Sequence, residues 1–106
     1  VRNGTKSCVV PYATPGAPLR EEIKKSVEEF IGRNGYFPKL ILLKNHGIIT
    51  ASASIQEATV STLMCEKSAE IYIGAKMLNI IQFLTPEEVA AVDTNPSEKY
   101  RRELYK

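Results

Sequence analysis

Histidine is almost missing from this chain of 106 residues: His46 is the only one. A metal cluster made from histidines of these residues alone is therefore excluded. A zinc ribbon is excluded too, because the two cysteines, Cys8 and Cys65, lie far apart and make no C-x-x-C pair. Two cysteines are also too few for a small secreted disulfide scaffold, so both read as reduced thiols of a cytosolic protein. The six glycines do not gather into G-x-G-x-x-G or G-x-x-x-x-G-K-[ST], which removes the common phosphate loops. No G-x-S-x-G elbow is present for a serine nucleophile. No apolar run reaches the length of a membrane span, and the opening VRNGTKS lacks the apolar core of a signal peptide. Neither sign of charge prevails: fourteen basic residues are interleaved with twelve acidic ones, for a net charge of +2. Without a basic stripe carrying aromatics, nothing points to a nucleic-acid partner. The first residue is valine rather than methionine, as expected of a processed chain or a fragment.

What is present reads as strand, helix, strand, strand, helix, helix, on the scale of one domain or part of one. Ser7 to Val10 is a short apolar strand closed by Pro11, which cannot donate to a continuing ladder. After the loop PYATPGAP, Pro18 falls in the first turn of a helix. Leu19, Ile23, Val27, Phe30 and Ile31 form its apolar stripe. Glu21 with Lys25 and Lys24 with Glu28 stand at i,i+4 spacing on the outside. Lys39 to Lys44 (KLILLK) has a continuous apolar centre and predicts a strand buried on both faces. Ile48 to Ala53 predicts another, joined to it through Asn45, His46 and a Gly47 free to take positive φ.

Ser54 and Glu57 are spaced as a capping box and open a long helix from about Ile55 to Leu78. Its apolar residues exceed one stripe. Ala58, Cys65, Ala69 and Tyr72 follow one line, and Met64, Ile71 and Leu78 the adjoining one. A helix apolar over so much of its circumference is covered on two sides, which predicts a neighbouring subunit on one of them. Thr85-Pro86-Glu87-Glu88 opens a short helix through Val92, and the polar tail from Pro96 reads as helical. The glutamate doublets at 21/22, 28/29 and 87/88 lie on helix exteriors and read as solvated faces, and Cys65 reads as core.

His46 remains. Taken by itself it is either a turn residue bonded to a carbonyl, or a metal ligand or acid/base group at a strand end. The second role suits it because a sheet holds an imidazole more firmly than a loop does. A catalytic zinc site needs about three protein ligands, so most of the shell would come from elsewhere.

The stretches VPYATPGAPL, LILLKNHGIITASASIQEA, CEKSAEIYIGAKML and LTPEEVAAV, in that order, resemble the C-terminal half of the class II aldolase/adducin domain. The resemblance runs from about Val9 to Val92 and makes residues 1–106 the C-terminal part of a single such domain. It implies an α/β fold: a three-layer α/β/α sandwich around a largely antiparallel sheet. It also implies a cytoplasmic homotetramer with active sites at subunit interfaces. The family's divalent metal, usually Zn2+, is held by three histidines, and the one in its (N/H)-H-G motif corresponds to His46. The other two, the acid/base glutamate and the phosphate-binding residues belong to the N-terminal half of the domain, which would be this chain's partner. The activity implied is that of an aldolase-type lyase acting on a sugar phosphate through a metal-stabilised enediolate. Epimerases and a dehydratase share the family, and the alternative is an adducin-like, non-catalytic interaction module. No membrane partner is expected.

Overall fold

A computed structural model describes residue 4 and residues 6–104. The chain folds as two compact units, one of residues 6–51 and one formed chiefly by residues 52–104.

The first unit contains β1 (Cys8–Val10), α1 (Ala17–Asn34), β2 (Leu40–Leu43) and β3 (Gly47–Thr50). The three strands make one sheet in the order β1-β2-β3. β1 runs parallel to β2, with Val10 beside Leu43, and β3 runs antiparallel to β2, with Leu43 beside Gly47. The sheet is thus mixed among the described residues, one parallel pair and one antiparallel. The parallel pair follows from α1, which carries the chain back to the start of the next strand as a crossover must.

α1 begins with proline in its first turn and ends at Gly35, whose φ of 77° places it in the left-handed region. There its N–H donates to the Ile31 carbonyl at 2.8 Å, satisfying an acceptor the helix would otherwise leave open. Phe30 is buried, and Ile23 and Val27 pack with it against Cys8, Val10, Ile41 and Leu43. Ile31, placed in the same stripe by sequence, is exposed instead. It stands one residue, roughly 100° of helix turn, past Phe30, and the sheet does not extend that far round. Tyr36 then packs edge-on to Phe30 with ring centroids 5.4 Å apart. Glu21, Lys24, Lys25 and Glu28 all project into solvent, and an ion pair on that surface joins Arg20 to Glu21 at 3.5 Å.

β2 departs from the two-face burial expected of it. Ile41 and Leu43 are buried while Leu40 and Leu42 are half-buried. Strand side chains alternate between faces, and within this unit α1 covers the face of Ile41 and Leu43.

The second unit contains α2 (Ile55–Met77), α3 (Pro86–Asp93) and α4 (Pro96–Leu104). Ser54 caps α2 through its hydroxyl, which accepts from the Glu57 N–H at 3.2 Å. Both halves of the box at α3 are formed: the Thr85 hydroxyl accepts from the Glu88 N–H, and the Glu88 carboxylate accepts from the Thr85 N–H. Arg102 of α4 reaches back to α3, donating to the Asp93 carboxylate at 2.7 Å and to its carbonyl at 3.0 Å. Along α2, Glu57 and Ser61 are buried and Ala58 and Cys65 half-buried, whereas Met64, Ile71 and Leu78 are exposed. The line of Ala58 and Cys65 does not stay covered, for Ala69 and Tyr72 further along it are exposed. Tyr72 stacks on Phe83 with centroids 6.4 Å apart. Among the described residues no helix is long and apolar enough to cross a membrane.

Candidate functional site

Because β1 and β2 run parallel, their C-terminal ends open at one edge of the sheet. The loop of residues 11–16 leaves β1 there, and the turn Lys44-Asn45-His46 leaves β2 beside it. The Lys44 N–H donates to the Val10 carbonyl at 3.1 Å, so the parallel pairing persists to the first residue of the turn. The His46 N–H donates to the Leu43 carbonyl at 3.1 Å, closing a tight turn that leads straight into β3.

The left-handed residue of this turn is Asn45, with φ of 55°. Gly47, expected from the sequence to be free to take positive φ, has φ of 159° where β3 begins. Asparagine tolerates positive φ well among residues with a side chain, and the third position of a four-residue turn is where it is needed. The outcome for His46 is a backbone held on both sides by sheet hydrogen bonds and a side chain open to solvent. The imidazole has no hydrogen-bond or ion-pair partner among the described residues. It is thus neither bonded to a carbonyl nor packed in a core, and remains free to act as a donor atom to a ligand.

One histidine is not a metal site. Among the described residues no group of three or more His, Cys, Asp or Glu side chains comes together. The residues present fit one arm of a metal shell, a rigidly based imidazole, and not the shell itself.

Neither strand-end loop carries a cysteine. Cys8 is buried in the core, its thiol donating to the Ser26 carbonyl at 3.8 Å. Burial pushes that thiol above its usual range, and the Arg33 guanidinium only partly offsets the effect. A cavity of about 160 Å³ lies alongside, between β1 and α1. Its wall sets Lys25 and Arg33 against Glu22 and Glu29, favouring neither sign of ligand, and His46 takes no part in it.

Two side chains of the strand-end loops escaped the reading by sequence as candidates. Tyr12 and Lys44 are exposed, and neither has a polar partner among the described residues. The signal for them was the pairing of two apolar strands that both end in polar loops, which acquires meaning only once the strands are known to be parallel.

A family model described as class II aldolase and adducin N-terminal domain matches residues 2–73. The match takes in both strand-end loops and most of α2, and stops short of the LTPEEVAAV stretch. Comparison with curated proteins and with solved structures gives no match.

Proposed function

The chain belongs to the class II aldolase and adducin family, and from that premise we propose that it supplies part of the site of a metal-dependent aldolase-type lyase acting on a sugar phosphate. The observation that carries this reading is His46: an exposed imidazole without a polar partner among the described residues, on a turn anchored by two strands inside the family match. An interaction module has no need of a histidine held in this way. The full domain would have the three-layer architecture, of which the β1–β3 sheet with α1 is one part.

His46 would supply one nitrogen to a divalent ion, Zn2+ by preference, and its turn would fix the direction of approach. When bound, the ion supplies Lewis-acid stabilisation of charge developing on a substrate oxygen. Proton transfer would fall to a glutamate outside these residues. The remaining ligands would come from the N-terminal half of the domain, in a cytoplasmic homotetramer.

In the complete protein, His46→Ala is expected to lose the metal and to lower turnover more than about a hundredfold, since it deletes a metal ligand outright. Its thermal midpoint in the metal-free state should stay near that of the metal-free parent, because the side chain packs against nothing that folding depends on. Metal analysis, turnover and thermal unfolding decide the matter together. The isolated 106-residue chain should lose zinc on dialysis. Stoichiometric zinc retained by that chain overturns the part-site reading, and normal metal in His46→Ala with a collapsed midpoint returns His46 to the role of a structural turn residue.

A further inference from the structure

We propose that Tyr12 is a substrate-binding residue of the same site, its hydroxyl bonding an oxygen of the sugar phosphate near His46. The proposal rests on the reading of His46 given above and adds the second wall of the site.

Val10 pairs with Leu43, and the Lys44 N–H donates to the Val10 carbonyl at 3.1 Å. The two chains are therefore still one strand spacing apart, about 4.8 Å, where they leave the sheet. Tyr12 follows Val10 by two residues, and His46 lies in the turn that leads from β2 into β3, so both stand beyond the carboxyl ends of the parallel pair, one on each side of β2.

The loop of Tyr12 is pinned at each end. Before it stands the Val10 carbonyl bond, and after it the Thr14 carbonyl accepts from the Leu19 N–H at 3.1 Å. Pro11 restricts the backbone between them. Such a loop positions a side chain without ordering it anew on binding, which lowers the entropic cost of recognition.

Tyr12 itself is 58% exposed and its hydroxyl has no partner among the described residues. A tyrosine that serves the fold ordinarily buries its ring or bonds its hydroxyl. This one does neither within its own unit. In open α/β sheets the carboxyl ends of the strands are the usual place for ligand contacts, and Tyr12 stands at such an end.

The charge of the two loops indicates what the hydroxyl would meet. Between residues 11–16 and 44–47 the only charged side chain is Lys44, a cation, and no carboxylate is present. That edge favours an anionic, oxygen-rich ligand, and a phosphorylated polyol is of that class. A phenolic hydroxyl can both donate to and accept from such a molecule.

The test uses the complete, zinc-loaded protein and dihydroxyacetone phosphate as probe, with binding followed by calorimetry and zinc content measured on the same samples. Tyr12→Phe removes only the hydroxyl. It is expected to keep the zinc and the thermal midpoint while weakening probe binding about tenfold, as loss of one hydrogen bond would. Tyr12→Ala should weaken it at least as much. Unchanged affinity in Tyr12→Phe overturns the proposal, and so does failure of the zinc-loaded parent to bind the probe. His46→Ala separates the two readings. Zinc retained in that variant, with the Tyr12→Phe loss intact, would refute the metal role of His46 and leave Tyr12 as a binding residue of a site without it.

Discussion

Cys8 and His46 both belong to the sheet of the first unit, yet their surroundings differ. His46 is exposed on a turn, while Cys8 is only 2% exposed and faces α1. Burial raises the Cys8 pKa above its ordinary value of 9.0, with Arg33 acting against the shift. In the window above 9.0 the folded protein holds a proton that the unfolded chain has given up. Stability contributed by the protonated thiol is therefore fully present below that value and is lost as pH rises through the raised one. Urea unfolding between pH 8 and 10.5 should show stability falling more steeply in the parent than in Cys8→Ala. Equal slopes would mean that the thiol is not held protonated by its surroundings.

At the scale of the element, α1 carries a glycine in its interior and another just past its end. Gly32 lies within the helix and Gly35 caps it at φ of 77°. A Cβ added at either position meets nothing within 4 Å. Packing therefore contributes little to either substitution, and the backbone alone sets the sign. Gly32→Ala should stabilise by about 0.5–1 kcal/mol, because alanine loses less backbone freedom in a helix. Gly35→Ala should destabilise by about 1 kcal/mol, because the left-handed region disfavours any residue with a Cβ. Thermal midpoints moving in opposite directions are the expected result. A fall in both would show that α1 is held by contacts that its backbone preferences do not govern.

For the whole molecule, the unresolved demand is the apolar surface of α2. Ile71 is 61% exposed and Leu78 71%, and Met64 on the same line is exposed as well. These three share a face at seven-residue spacing. Surface of this kind marks an association site more often than free surface. If it is the subunit contact of the proposed homotetramer, Ile71→Glu in the complete protein should lower the oligomeric state in sedimentation without lowering helix content by circular dichroism. An unchanged oligomer would move the contact elsewhere, and a monomeric parent would remove it.

The elements themselves were legible in the chain. Proline in the first turn, the cap at Ser54, the box at Thr85, and apolar spacing placed every helix to within a few residues, because caps and periodicity act over a few residues along the backbone. His46 was legible as a candidate for the same reason: it is alone, and it stands at a break between two apolar runs. The direction of pairing was not. Whether β1 joins β2 parallel or antiparallel depends on where α1 delivers the chain, and only that choice sets the loop of Tyr12 beside the turn of His46. The burial expected for Leu40 and Leu42 was misread as well, since a run of four apolar residues reads alike with one face covered or two. Local backbone chemistry decided the elements by itself. The neighbourhood of the histidine required contacts between residues more than thirty positions apart, such as Val10 with Lys44, and those exist only in the folded sheet.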